Sequence, residues 1–113
     1  MKKNIILLGA LIISGVAYSQ VGIDTDTPKA TLDIKATPTS TTKIDGLIAP
    51  RLKGSELKTN DTKYTSDQDG AIVYVTEALA SANTSIKTAN VTCIGYYYFD
   101  KTLDSGRGQW VKV

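Results

Sequence analysis

From Ile5 to Val16 the chain runs without a single charge (IILLGALIISGV), with Lys2 and Lys3 before it and Ala17-Tyr18-Ser19 after it. This run limits the fold more than any other feature, because it divides the chain into a part that folds and a part that does not contribute. A membrane-spanning helix needs about 20 apolar residues, and this run is shorter. A basic start, a short apolar stretch and small side chains at positions 17 and 19 read as a cleavable secretory signal over residues 1–19, leaving Gln20 at the new N-terminus. Taking 19 from 113 residues leaves 94, the size of one small domain. Lys2 and Lys3 leave with the signal, so the 13 basic residues become 11 against 11 acidic ones, and the net charge of +2 becomes zero. No basic excess remains to attract phosphate, which argues against a nucleic-acid partner.

A domain of this size buries a limited core. Small exported domains often compensate with disulfides, but Cys93 is the only cysteine and forms none within the chain. A neutral chain also lacks the charge repulsion that keeps copies apart. Both features point to stability gained by association.

Threonine is the dominant polar residue, with 15 between Thr25 and Thr102. It is β-branched and, with Val, Ile and Tyr, favours pleated structure. No long segment shows a 3.6-residue apolar period. After a turn-rich opening over 21–28, Ala30, Leu32 and Ile34 alternate with Thr31 and Asp33, which predicts a strand with one buried face. Residues 36–42 (ATPTSTT) form a polar loop. Residues 46–52 are apolar but contain Pro50, so they predict an edge strand or extended connector, followed by a helical turn over 54–58 capped by Gly54 or Ser55. Residues 71–76 (AIVYVT) are the clearest strand, and residues 77–82 suggest a short helical turn. Residues 91–99 (VTCIGYYYF) and 109–113 predict a hairpin across the glycine-bearing turn 104–108. The expected class is mainly β: a small antiparallel meander or hairpin sheet with one or two short helical turns, preceded by the signal peptide. The expected organisation is signal at 1–19, an N-terminal strand and polar loop at 20–45, and a β-rich C-terminal module at 46–113.

The chemistry-bearing residues are few. Histidine is absent, which removes the usual neutral-pH base and the commonest transition-metal ligand, and no G-x-S-x-G elbow occurs. No catalytic residue, cofactor or metal site is assigned. Asp24, Asp26 and Asp33 are oxygen donors of the kind calcium takes, yet they follow no calcium-loop spacing and read first as turn-forming carboxylates; the same holds for Asp61, Asp67 and Asp69. Cys93, in an apolar run, reads as a buried structural thiol. Asn60, Asn83 and Asn90 each open a short glycosylation-type tripeptide. The aromatic set Tyr96, Tyr97, Tyr98, Phe99 and Trp110 stands out. Strand geometry sends Tyr96 and Tyr98 to one face and Tyr97 and Phe99 to the other. One face fills the core, and the other offers an amphipathic platform for a partner chain or a sugar. Tyr96, Tyr97, Tyr98 and Trp110 are therefore the binding or interface candidates, together with Arg51, whose planar fork suits a carboxylate such as Asp33 or Asp45.

Four segments, in order, carry a resemblance. Residues 21–34 (VGIDTDTPKATLDI) are close to V-G-I-G-T-x-x-P-x-A-x-L-D-V, residues 46–52 (GLIAPRL) to G-L-x-x-P-R-L/M, residues 70–76 (GAIVYVT) to G-x-I-V-Y-x-T, and residues 96–111 end in the tyrosine run and the Trp110-Val111 pair. Together they resemble uncharacterised exported proteins of flavobacteria and related modules of tail-fibre-like and adhesin-like surface proteins. Two departures stand out: Asp24 replaces the glycine of the opening motif, and the segment 101–108 before the tryptophan is longer than usual. The resemblance implies a periplasmic, cell-surface or extracellular β module, often part of a fibre or a trimer, with no catalytic role. The expected function is an exported, non-enzymatic structural or adhesive module that self-assembles as a homo-oligomer, a trimer included, or joins other cell-surface proteins. The alternative is a soluble carbohydrate- or ligand-binding module that uses exposed tyrosines on a glycan. An enzyme is the weakest reading, since its residues cannot be named.

Overall fold

The computed structural model describes residues 2–4 and 20–113; apart from residues 2–4, the expected signal peptide lies outside the described residues. Among the described residues no helix is long and apolar enough to cross a membrane. The strands are β1 (Val21–Ile23), β2 (Leu32–Ile34), β3 (Arg51–Lys53), β4 (Ile72–Glu77), β5 (Gly95–Asp100) and β6 (Gln109–Lys112), with a short helix, α1 (Gly54–Thr59), and a four-residue helical segment, Leu103–Gly106, broken by left-handed Asp104 and Ser105. They fall into two compact units, Met1–Gly46 and Leu47–Val113.

In the first unit β1 and β2 pair in parallel, with Val21 opposite Leu32 and Ile23 opposite Ile34. The Val21 N–H donates to the Thr31 carbonyl and the Lys35 N–H to the Ile23 carbonyl. The sequence marks β2 but reads β1 as part of a turn-rich opening. The chain leaves β1 through Asp24 at φ 58°, the left-handed region that aspartate tolerates better than most side chains. The Lys43 ammonium lies 2.6 Å from the Asp24 carboxylate. The buried face expected of β2 is not buried here: no residue from 20 to 46 is buried.

The second unit is a four-stranded sheet in the order β3-β4-β5-β6. Strands β4, β5 and β6 form the antiparallel meander. Strand β3 joins them in parallel, because the link from β3 to β4 carries α1 and two 3-10 turns (Asp61–Lys63 and Ser66–Gln68), enough chain for a crossover. Helix α1 starts one residue earlier than expected: Lys53 is its N-cap, and the Glu56 carboxylate accepts the Lys53 N–H at 2.7 Å. The helical turn expected over 77–82 yields to strand as far as Glu77, with a 3-10 turn at Ser81–Asn83. The strand expected from Val91 begins only at Gly95.

Period-two alternation then builds the core. Val73, Val75, Tyr97, Phe99 and Trp110 share one face and are buried, joined by Leu57 of α1 and Val91. The Tyr64 ring lies 5.8 Å from that of Phe99 and meets Trp110 edge-on at 4.8 Å. Lys87 closes the rim: its ammonium donates to the Asp61 and Tyr64 carbonyls at 2.8 and 2.5 Å and stands 5.8 Å from the centre of the Phe99 ring.

The β5–β6 turn passes through left-handed Asp104, Ser105, Gly106 and Gly108. A Cβ on Gly108 would stand 2.4 Å from the Phe99 ring, whereas one on Gly106 would meet nothing within 4 Å. Gly106→Ala is expected to cost about 1 kcal/mol, from backbone strain alone. Gly108→Ala adds an overpacking term of about 1–3 kcal/mol. Urea unfolding followed by Trp110 fluorescence checks the ordering: equal midpoints for the two variants would refute the Phe99 clash.

Candidate self-association surface

The alternation that buries one face of the larger sheet leaves the other open. Register places Arg51, Tyr74 and Tyr96 in one row across β3, β4 and β5, and the Val113 N–H donates to the Tyr96 carbonyl at 3.0 Å, bringing Val113 to the end of that row. A second row is Ile72, Tyr98 and Val111. Exposure is 48% at Ile72, 38% at Tyr96, 36% at Tyr98 and 76% at Val113. The Tyr74 and Tyr96 rings pack edge to face, 4.9 Å apart at 71°. Beside them Ile48, Arg51, Tyr74, Thr76 and Tyr96 line an open depression of about 390 Å³.

The structure thus divides the five residues singled out from sequence. Arg51, Tyr96 and Tyr98 stand on the open face, while Tyr97 and Trp110 are fully buried in the core. The Tyr97 hydroxyl donates to the Cys93 carbonyl at 2.9 Å. Cys93 itself is exposed, which corrects the expectation of a buried thiol: residues 91–94 precede the strand, and Val91 takes the inward place. Arg51 makes no ion pair among the described residues. The Asp33 carboxylate accepts the Lys29 N–H and the Asp45 carboxylate the Thr37 N–H, each at 2.8 Å. No group of three or more Cys, Asp or Glu among the described residues is placed to share a metal ion. Sequence reading missed Ile48, Ile72 and Tyr74 as members of the face. Alternation in residues 71–76 sets Ile72 and Tyr74 opposite Val73 and Val75, but their pairing with Tyr98 and Tyr96 is a matter of register.

The edges of this sheet offer little to a further strand. At β6 the Trp110 N–H is taken by the Lys87 carbonyl at 2.8 Å, and the Trp110 carbonyl accepts from the Asn90 amide at 3.4 Å. At the other side β3 is three residues long and follows Pro50. Short, proline-flanked or covered edges resist strand addition, so the open face is the available contact surface. A second apolar surface lies in the first unit, where Val21, Ile23, Leu32 and Ile34 are 55%, 47%, 51% and 37% exposed.

Residues 22–113 match the sequence profile of the phage tail-like trimerisation region, and the chain belongs to that family. No match was found among curated proteins or among solved structures. Membership makes the chain a structural, self-assembling module.

Burial pushes the Tyr97 and Tyr64 phenols above the ordinary tyrosine range. A raised folded-state pKa contributes stability that is complete below the unfolded value of about 10 and is lost as pH rises through the folded value. Stability is therefore expected to fall steeply above about pH 10. Tyr97→Phe, which cannot ionise, should flatten that fall while lowering stability at neutral pH by about 1 kcal/mol for the lost hydrogen bond. Thermal melts from pH 7 to 11 check this; an unchanged alkaline slope in the variant would count against the assignment.

Proposed function

We propose that this member of the phage tail-like trimerisation family is an exported structural module that joins three copies of itself through the open face of its larger sheet, within a fibre-like surface assembly. The observation that carries the reading is the pairing of family with face: the matched region contains an apolar, tyrosine-bearing sheet face on which Ile72, Tyr96, Tyr98 and Val113 are exposed among the described residues. Monomeric proteins seldom leave such a patch uncovered. Tyrosine and arginine are also the residues that interfaces favour.

These parts suit a threefold assembly. In a cyclic trimer each contact is heterologous, one patch meeting a different patch of the next copy. The β3 side of the face carries Arg51, and the β6 side carries Val111 and Val113. An arginine stem covers apolar surface while its guanidinium remains free to bond. Arg51 of one copy against the β6 side of the next lays its stem on Val111 and Val113 and keeps its guanidinium at the rim. The zero net charge of residues 20–113 removes long-range repulsion between copies. Export rests on residues 1–19, whose pattern is that of a secretory signal. The edge-to-face packing of Tyr74 and Tyr96 suits interdigitation with a partner chain better than a flat sugar-stacking platform.

Light scattering after size exclusion should give three times the protomer mass at micromolar concentration, and a strict monomer would overturn the reading. Tyr98→Glu places a charge on the face and should lower the association constant by about tenfold or more. Buried Trp110 reports that the protomer is still folded. Protein recovered from the producing cell should begin at Gln20; retention of residues 1–19 would remove the export component.

A further inference from the structure

The first unit presents a contradiction that residues 20–46 do not resolve among themselves. Parallel pairs are found almost only where both faces are covered, and an isolated two-stranded ribbon is marginal in water. Here a parallel pair of three-residue strands stands in a segment, residues 20–46, without one buried side chain. The alternation is that of a buried strand: the register sets Val21 against Leu32 and Ile23 against Ile34, so all four aliphatics lie on one face. The other face of this ladder carries Gly22 and Asp33. Sequence pattern and pairing both demand a cover for the four-residue face.

We infer that the aliphatic face of β1–β2, formed by Val21, Ile23, Leu32 and Ile34, packs against the same face of the other two copies and is ordered by that contact. The inference rests on the trimer reading above but concerns a different surface. The matched trimerisation region starts at Gly22 and so includes this segment. No charged side chain lies on the four-residue face, so bringing three copies to a common axis opposes no like charges there. The layers are self-complementary, Val21 with Leu32 in one and Ile23 with Ile34 in the other. The polar groups of the unit lie off this face: Asp33 is held by the Lys29 N–H and Asp24 by Lys43. Ordering on association is the behaviour of a segment that cannot bury enough surface by itself.

Hydrogen exchange on the purified whole protein, together with a photo-crosslinking benzoylphenylalanine at position 32, tests this. In the trimer, amides of residues 21–35 should exchange at least about tenfold more slowly than open chain, and crosslinks should join position 32 to β1 or β2 of another copy. Leu32→Asp should abolish that protection and weaken association about tenfold or more, while β4 and β5 amides stay protected. A trimer whose 21–35 amides exchange freely, or whose crosslinks run to residues 47–113 or to a different protein, overturns the inference and leaves the trimer reading intact. A monomer overturns both. If Leu32→Asp also unprotects β4 and β5, the variant has unfolded, and the crosslinks of the otherwise unaltered chain decide.

Discussion

Packing of Phe99 against Trp110 and Tyr64 is the contact on which the larger unit depends. The three rings lie within 5.8 Å of one another, centre to centre, and they come from three places: β5, β6 and the turn before β4. Fixing Phe99 inward also fixes Tyr97 inward and Tyr96 and Tyr98 outward, because a strand has only two sides. The outward face is thus a consequence of the core. Even the β5–β6 turn is set by this contact, since Gly108 approaches the Phe99 ring too closely to carry a side chain.

The core so formed is small. Among the described residues the buried hydrophobic side chains are Ala49, Leu57, Val73, Val75, Val91, Tyr97, Phe99 and Trp110, and all belong to the second unit. No disulfide supplements them, as Cys93 is the only cysteine. Small domains of this kind commonly gain stability from oligomerisation. Part of the apolar surface left outside the core is gathered on two sheet faces, Val21, Ile23, Leu32 and Ile34 on one and Ile72, Tyr96, Tyr98 and Val113 on the other, and contiguous patches are more informative than single exposed aliphatics.

Much of this was legible in the sequence. The apolar runs 71–76 and 91–99 pointed to β4 and β5, the second with its start placed four residues early, and strand geometry assigned Tyr96 and Tyr98 to one side and Tyr97 and Phe99 to the other. Composition had already removed histidine chemistry, and the four ordered segments pointed to tail-fibre-like modules. Other features depend on distant parts of the chain. The parallel placement of β3 depends on where a crossover returns, and β1 has too few residues to show a period. Cys93 looks like part of an apolar strand, yet the strand starts at Gly95, so local hydrophobicity overstated its burial. For Arg51 the planar fork suggested a carboxylate partner, Asp33 or Asp45, without choosing between them; each of these also accepts a nearby backbone N–H, a local competition that sequence does not rank.

The most instructive mismatch is β2, where the pattern predicted burial and the protomer shows exposure. A period-two apolar pattern is a statement that one face leaves water, but it does not say within which molecule. In β4 and β5 the demand is met by Leu57, Val91 and Trp110 of the same chain. In β2 it is not met within residues 20–46, none of which is buried. In a segment that falls within the trimerisation match, the resolution proposed above is that burial is supplied between copies. On that proposal the two units differ in kind: the second carries its own core into the assembly, and the first acquires one there.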